Sequence, residues 1–106
     1  MIERQPCVYI LASDLNGTLY VGVTSDLLHR IVEHREGKFD GFTKRYGIKR
    51  LVDWEHAGSM ESAILREKQI KRWQRDWKRN LIERDNPSWD DLAVSFGLEG
   101  LTVSLA

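Results

Sequence analysis

The stretch VYILASDLNGTLYVGVTSDLLHRIVEHREG, residues 8–37, predicts the fold of this chain. Two runs in it, 8–13 and 19–24, are rich in apolar and β-branched residues, which is typical of strands. Asn16 and Gly17 lie between the runs, and this pair favours a tight turn because both residues accept positive φ. The sequence therefore predicts a β-hairpin.

The predicted hairpin has one apolar and one mixed face, because successive side chains of a strand point to opposite sides. With a two-residue turn, Ser13 would lie opposite Tyr20. The apolar face is expected to pack on a core and consists of Val8, Ile10, Ala12, Leu19, Val21 and Val23. The other face includes Tyr9, Tyr20, Gly22 and Thr24. Since Gly22 has no side chain, another group can approach the backbone closely there.

A helix is predicted to follow the hairpin at once. Ser25 or Asp26 can cap its N terminus, and Gly37 can end it. Arg30 and His34 are four residues apart, so they lie one turn above each other at the border of the apolar stripe. We expect these two side chains and the two tyrosines of the hairpin to share one groove.

The hairpin and this helix together resemble the GIY-YIG nuclease superfamily. Residues 7–9 and 20–22 stand where that family has its Gly-Ile-Tyr and Tyr-Ile-Gly triplets, and Arg30 and His34 match the arginine and histidine that follow. The resemblance covers about residues 7–92. It is strongest to small single-domain bacterial members related to the cleavage module of excinucleases.

The chain departs from the family pattern at several positions of the hairpin. Cys7 and Val21 replace the first glycine and the second isoleucine, and both changes should be harmless in a strand. Some relatives carry a lysine directly after the second glycine, where this chain has Val23. His34 would therefore bear more of the task of assisting Tyr9.

A second helix is predicted to begin at Ser59 and to carry a carboxylate on its apolar stripe. Glu67 falls near the middle of a stripe formed by Met60, Ala63, Ile64 and Ile70. A carboxylate that faces a core is unfavourable unless it is paired or bound to a cation. An ion pair with Lys71, four residues on, is one explanation. The resemblance implies another, in which Glu67 binds a single divalent ion, Mg²⁺ or Mn²⁺.

Residues 38–49 are predicted to form a polar loop that mixes aromatic and basic side chains. Such a loop can stack on bases and hold phosphates, and its candidate nucleic-acid contacts are Lys44, Arg45 and Tyr46. Gly22 and Thr24 on the hairpin are predicted to contact nucleic acid as well. We expect Phe39 and Phe42 to pack the loop onto the core. Small family members also carry a Thr-x-x-Tyr here, which Thr43 and Tyr46 match, so the resemblance implies contact with substrate.

Residues 50–56 predict a third strand. The order strand, strand, helix, strand indicates the α+β (α/β) class, with a small three-stranded mixed sheet flanked by helices. Trp73, Trp77 and Leu81 recur every four residues and are predicted to pack in the core.

The rest of the chain is predicted to hold two short helices and a tail. Asp76 would cap a helix over 77–84, on which Asn80 matches an asparagine of the family. Asn86 and Pro87 would start a last helix that ends at Leu92. We assign residues 1–93 to one domain and leave 94–106 as a C-terminal tail without an assigned role.

The composition predicts a single-domain protein with a basic surface. The 106 residues include 16 Lys and Arg and 16 Asp and Glu, so the net charge is zero. Basic residues concentrate in 29–50 and 66–84, which can build a positive face on a neutral molecule. The single cysteine excludes an intrachain disulfide and a cysteine-based zinc site. A polar N terminus and the lack of a long apolar run predict a cytoplasmic protein that does not bind membranes.

The resemblance implies a metal-dependent endonuclease that hydrolyses phosphodiester bonds in DNA, in repair or recombination. Tyr9 would take a proton from the attacking water, with help from His34, and Arg30 would hold phosphate oxygens. Tyr20 and Asn80 would hydrogen-bond the phosphate or order its waters. The target would be chosen by a protein partner, by the structure of the DNA or by the basic loop.

Two other functions are alternatives to the nuclease. A non-catalytic nucleic-acid-binding module would show salt-sensitive binding that does not depend on Glu67. A protein-interaction domain would use exposed tryptophans and the apolar tail, without affinity for nucleic acid. The complete set of tyrosines, Arg30, His34, Glu67 and Asn80 favours the enzyme, because a pure binder does not need a carboxylate suited to a metal ion.

Overall fold

A computed structural model describes residues 5–96 as one three-stranded sheet with helices on both faces. The strands are β1 (Cys7–Ala12), β2 (Leu19–Thr24) and β3 (Arg50–His56). The helices are α1 (Leu27–Arg35), α2 (Gly41–Arg45), α3 (Met60–Arg72) and α4 (Arg75–Asp85), and a 3₁₀ helix follows at Leu92–Phe96. The predicted α+β class and the three predicted strands are confirmed, and Asp26 and Ser59 cap α1 and α3 as expected.

Strand β1 lies in the middle of the sheet, whose order is β2-β1-β3. Both neighbours pair with β1 in the antiparallel sense, so the predicted mixed pairing is wrong. Helices α1 and α2 return the chain to the end of the sheet where β2 began. Strand β3 therefore runs in the same direction as β2, with β1 between them.

The hairpin loop is longer than predicted. Leu11, and not Ser13, lies opposite Tyr20. The hydrogen bond from Ser13 N to Thr18 O (3.0 Å) closes the loop, and Asn16 takes a positive φ of 53° within it. The observed register of β1 and β2 differs from the predicted one by two residues, so every side chain stays on its predicted face.

The two faces of the sheet bury separate apolar clusters. The face predicted to be apolar packs against α3 and α4, through Val8, Ile10, Ala12, Val21, Val52, Ala63, Ile70, Leu81 and Ile82. The opposite face packs against α1 and the segment after α2, through Tyr9, Leu11, Ile31, Ile48 and Leu51. Tyr9 is thus a core residue of the second cluster, which fixes its ring in place.

Helix α4 and its tryptophan differ from the prediction. The helix is capped at Gln74 and already contains Asp76 in its first turn. Leu81 is buried as predicted, but Trp77 is 53% exposed. The helix is interrupted at Trp73, between α3 and α4. One helical period therefore does not run through both helices, and Trp77 points away from the sheet.

The predicted helix over 87–92 is absent. The side chain of Asn86 donates to Val52 O (3.1 Å) and to Asp90 O (3.0 Å), which holds an irregular turn instead. Helical hydrogen bonding resumes only at Leu92–Phe96. Of the predicted tail, residues 97–106 lie outside the described part of the chain. None of the helices within residues 5–96 has the length and apolar character needed to cross a membrane.

Strand β3 carries a buried carboxyl, Asp53, opposite Ile10 in the sheet. Burial raises the pKa of Asp53 to about 7, and the Glu55 charge adds to this rise while Arg84 opposes it. Between about pH 4 and pH 7 the folded protein therefore holds a proton that the unfolded chain has already lost. The free energy of unfolding therefore falls as the pH rises from about 4 to about 7.

Asp53→Asn is expected to remove this loss, because asparagine carries no charge to desolvate. The variant should be more stable than wild type by about 1–3 kcal/mol near pH 8 and about equal to it near pH 4. Denaturant unfolding at both pH values measures the difference. The exposed control Asp76→Asn should follow the wild type. Identical pH slopes for wild type and Asp53→Asn would contradict the prediction.

Candidate active site

The side chains predicted to share one groove do converge in the structure. Tyr9 and Tyr20 come from neighbouring strands, and their ring centroids lie 6.3 Å apart. His34, on α1, approaches both rings edge-on, at 5.7 Å from Tyr9 and 5.3 Å from Tyr20. Arg30, one helical turn earlier, donates from Nη1 to Val23 O (3.2 Å) on β2. These four side chains form what we call the tyrosine cluster.

The close approach predicted at Gly22 is made by the protein itself. Gly22 pairs directly with Tyr9 in the sheet. A Cβ atom at Gly22 would lie 2.5 Å from both Cζ and Oη of Tyr9. The missing side chain of Gly22 therefore makes room for the phenol ring, and no free backbone surface is left there for nucleic acid.

Gly22→Ala is expected to lower the free energy of unfolding by about 1–3 kcal/mol, because the buried ring of Tyr9 must move. The same movement should break the hydrogen bond between Tyr9 and His34. Thermal or denaturant unfolding measures the first effect, and ring NMR signals of His34 report the second. Gly58→Ala is the control, since a Cβ there meets no atom within 4 Å. Equal stability of the two variants would refute the packing role of Gly22.

A chain of hydrogen bonds fixes the tautomer of His34. Thr43 Oγ1 donates its one proton to Asp40 O (3.1 Å) and so accepts from His34 Nδ1 (2.9 Å). The lone pair of Nε2 is then free to accept from Tyr9 Oη, which lies 2.9 Å away. Thr43 thus turns His34 into a proton acceptor for Tyr9.

The electrostatics of the cluster agree with this arrangement. Burial, and then the Arg30 charge, lower the pKa of His34 to about 4, so the ring is neutral at pH 7. Burial raises the pKa of Tyr9, and the Arg30 guanidinium partly opposes the rise. At neutral pH the pair is therefore a phenol and a neutral imidazole that share one hydrogen bond.

Thr43→Val is expected to let His34 populate both neutral tautomers, because valine keeps the shape of threonine but offers no acceptor to Nδ1. The ¹⁵N chemical shifts of the ring should then report a mixture of tautomers. Loss of the buried hydrogen bond should also lower the free energy of unfolding by about 1–3 kcal/mol. Thr43→Ser keeps the hydroxyl and should retain the wild-type shifts. Wild-type shifts in Thr43→Val would rule out this role.

The segment before α2 covers the tyrosine cluster. Phe39 lies over the Arg30 guanidinium at 3.8 Å and meets the His34 ring at 4.9 Å. Asp40 accepts from Tyr20 Oη (3.3 Å) and also caps α2. The sequence predicts a loop here and no site role for Asp40. Its position directly before a short helical run, where Asp is a favoured N-cap residue, could have indicated that Asp40 is fixed in place here.

Glu67 lies on α3, which packs against the other face of the sheet from the tyrosine cluster. Burial and Asp40 raise the pKa of Tyr20, and the negative charge of Glu67 adds to the rise. The side chain of Glu67 is 14% exposed and pairs with Lys71 Nζ at 3.2 Å, so the predicted ion pair is present.

The donor set at Glu67 fits one hydrated Mg²⁺ or Mn²⁺ ion. Within residues 5–96, no three His, Cys, Asp or Glu side chains cluster as metal ligands would. A single carboxylate is nevertheless enough for Mg²⁺, which usually keeps several waters and takes further oxygens from a phosphate substrate. Lys71 is half-exposed and can swing away from the carboxylate.

Other predicted site residues lie apart from the cluster. Thr24 is buried, and its hydroxyl accepts from Asp26 N (3.0 Å) at the start of α1, so it offers no surface to nucleic acid. Asn80 is exposed in a shallow cleft beside Trp73 and Trp77, and no hydrogen bond or ring contact among residues 5–96 joins it to the tyrosines. Its role in holding the phosphate or ordering waters stays a prediction.

The basic loop residues lie next to the cluster rather than in it. Lys44, Arg45 and Tyr46 are exposed on α2 and at its end. Phe42 does not pack onto the core as predicted but contacts Tyr46 with the two rings tilted and their centroids 4.8 Å apart. Helix α2 therefore presents basic and aromatic side chains to solvent, while Thr43 on the same helix supports His34.

The family model described as the GIY-YIG catalytic domain matches residues 5–80 of this chain. A UPF0213 protein of Syntrophus aciditrophicus is 37% identical over 79 residues, which are 74% of this chain and 90% of the relative. A UPF0213 protein of Photorhabdus laumondii is 30% identical over 82 residues, 77% of this chain and 78% of the relative. The solution NMR structure of a UPF0213 protein from Bacillus halodurans has a TM-score of 0.52 at 30% identity, over 86% of this chain and 97% of that one. The chain therefore belongs to the GIY-YIG family.

Proposed function

We propose that this protein is a metal-dependent endonuclease that hydrolyses phosphodiester bonds in DNA. One observation carries the proposal, namely that the two tyrosines converge on His34, with Tyr9 Oη 2.9 Å from His34 Nε2. Membership of a family described as a catalytic domain supports nuclease activity. We propose DNA repair or recombination in the cytoplasm as its setting, with a protein partner or the structure of the DNA choosing the target.

Hydrolysis of a phosphodiester needs a base for the attacking water and positive charge for the phosphoryl oxygens. Tyr9 Oη would accept a proton from water while its own proton moves to His34 Nε2, so no free phenolate is required. Arg30 would hold nonbridging oxygens through its planar set of donors, and Tyr20 would hydrogen-bond the phosphate. Glu67 would hold the divalent ion, whose chemistry when bound is to neutralise charge on the leaving oxygen.

Substrate must open the cluster before this chemistry can occur. Tyr9 and His34 are fully buried, and Phe39 covers the Arg30 guanidinium. A phosphate that takes the Tyr20 hydroxyl must replace the Asp40 carboxylate, which carries the same sign of charge. The displaced segment would leave basic helix α2 beside the bound strand.

Incubation of the purified protein with nicked, branched, duplex and single-stranded DNA tests the proposal. Cleavage is expected in Mg²⁺ or Mn²⁺ and should disappear when the metal is chelated. By analogy with the family, the products should carry 5′-phosphate and 3′-hydroxyl ends. If none of the four substrates is cut in either metal, the proposed activity is wrong.

A non-catalytic DNA-binding module is the second candidate, and the complete burial of Tyr9 and His34 favours it. This function predicts salt-sensitive binding of DNA without cleavage. It also predicts equal affinity for the wild type and Glu67→Gln, because no metal ion takes part.

A further inference from the structure

The junction of α3 and α4 carries an exposed aromatic surface that the proposed active site does not use. Trp77 is half-exposed, and its ring meets Trp73 edge-on with centroids 6.2 Å apart. Arg66 lies over the Trp73 ring, 5.1 Å from its centroid. Two shallow clefts, of about 410 and 440 Å³, flank this pair of rings. Contiguous exposed apolar surface on a folded protein can mark an interaction site.

Every charged side chain that lines the two clefts is basic. These side chains are Lys68, Arg72 and Arg84. Arg84 contacts the exposed Asp85, whereas Lys68 and Arg72 form no ion pair with any residue in 5–96. The surface therefore complements a partner that brings aromatic groups and negative charge together.

Unpaired nucleotides have this combination of groups. Each nucleotide offers a base that stacks on an indole and a phosphate that contacts Lys or Arg. A duplex keeps its bases stacked inside the helix, so it would use the basic residues but not the exposed ring of Trp77. The aromatic pair thus favours a single strand over a duplex.

The surface lies close to the proposed metal ligand. Lys68 follows Glu67 directly, and Trp73 lies six residues beyond Glu67 on or next to the same helix. Six residues correspond to about 9 Å along a helix axis. That length is about two or three nucleotides of a stacked strand.

We propose that Trp73 and Trp77, with Lys68 and Arg72, bind unpaired nucleotides of a DNA strand next to the position of cleavage. The place of the cut rests on the proposed nuclease function. The binding itself does not, because it can be measured without metal and without cleavage.

The test is the affinity of the Glu67→Gln protein, without divalent metal, for a labelled short oligodeoxythymidine and for a duplex of equal length. Adding Trp77→Ala should weaken binding of the single strand about 10-fold and binding of the duplex much less. Trp77→Phe keeps an aromatic face and should retain most of the affinity. Leu15→Ala removes a side chain that is 63% exposed on the hairpin loop and should change nothing.

Three results would overturn the proposal. The first is an unchanged affinity of Trp77→Ala for the single strand, and the second is an equal loss of affinity for single strand and duplex. The third is a wild-type dimer that Trp77→Ala converts to a monomer without any change in DNA affinity. The last result would make the surface a contact between copies of the chain. If the single strand binds through Trp77 but the wild type cuts no DNA, the binding surface stands and the nuclease function fails.

Discussion

Glu67→Gln is expected to lower Mg²⁺-dependent DNA cleavage about 10³-fold while the protein stays folded. Glutamine keeps the size of the side chain but lacks the negative charge that holds a divalent ion. Stabilisation of the leaving oxygen is lost together with the ion. The ion pair removed is the one with Lys71, whose side chain is 51% exposed, so stability should change by less than about 1 kcal/mol.

Two further variants separate the metal role of Glu67 from its ion pair. Glu61→Gln changes an exposed carboxylate on the first turn of the same helix and should keep wild-type activity. Lys71→Ala frees the Glu67 carboxylate, so half-maximal cleavage should need less Mg²⁺. Equal cleavage by wild type and Glu67→Gln would point to a contaminating nuclease. A loss in Lys71→Ala as large as in Glu67→Gln would assign the effect to the ion pair instead.

Local patterns in the sequence were enough to predict the strands, the two capped helices and the convergence of four site residues. Alternation along the hairpin placed Tyr9 and Tyr20 on one face, and a spacing of four placed Arg30 and His34 on one side of α1. Both rules depend only on backbone geometry. They held although the hairpin loop was longer than expected, because a shift of two residues preserves the faces.

Features that depend on exact register or on tertiary contacts could not be predicted in this way. A two-residue turn would have put Thr24 opposite Tyr9, so the packing of the phenol on Gly22 was not foreseen. The support of His34 by Thr43 requires the position of α2, which a five-residue helix shows only weakly in its sequence. The exposure of Trp77 follows from the break between α3 and α4, which the regular spacing of apolar residues concealed.

Tyr9→Phe is expected to lower the cleavage rate about 10²- to 10⁴-fold, because it removes the group that takes the proton from water. It also leaves Nε2 of His34 buried without a donor, so the free energy of unfolding should fall by about 1–3 kcal/mol. Tyr20→Phe removes a hydroxyl that lies outside the proton path and should slow cleavage less. Single-turnover rates at saturating Mg²⁺, with unfolding measured in parallel, compare the two variants. Equal rates in wild type and Tyr9→Phe would exclude Tyr9 as the base.

The double variant of Tyr9 and His34 decides whether the two side chains move one proton as a unit. Groups that act together show strongly non-additive effects on rate. Adding His34→Ala to Tyr9→Phe should therefore lower the cleavage rate little further, because the proton path is already lost. Adding Glu67→Gln to Tyr9→Phe should still lower the rate. If the effects of Tyr9→Phe and His34→Ala multiply instead, the imidazole acts on the phosphate or the metal independently of the phenol. The hydrogen bond between Oη and Nε2 would then serve packing, and the base would have to be sought elsewhere.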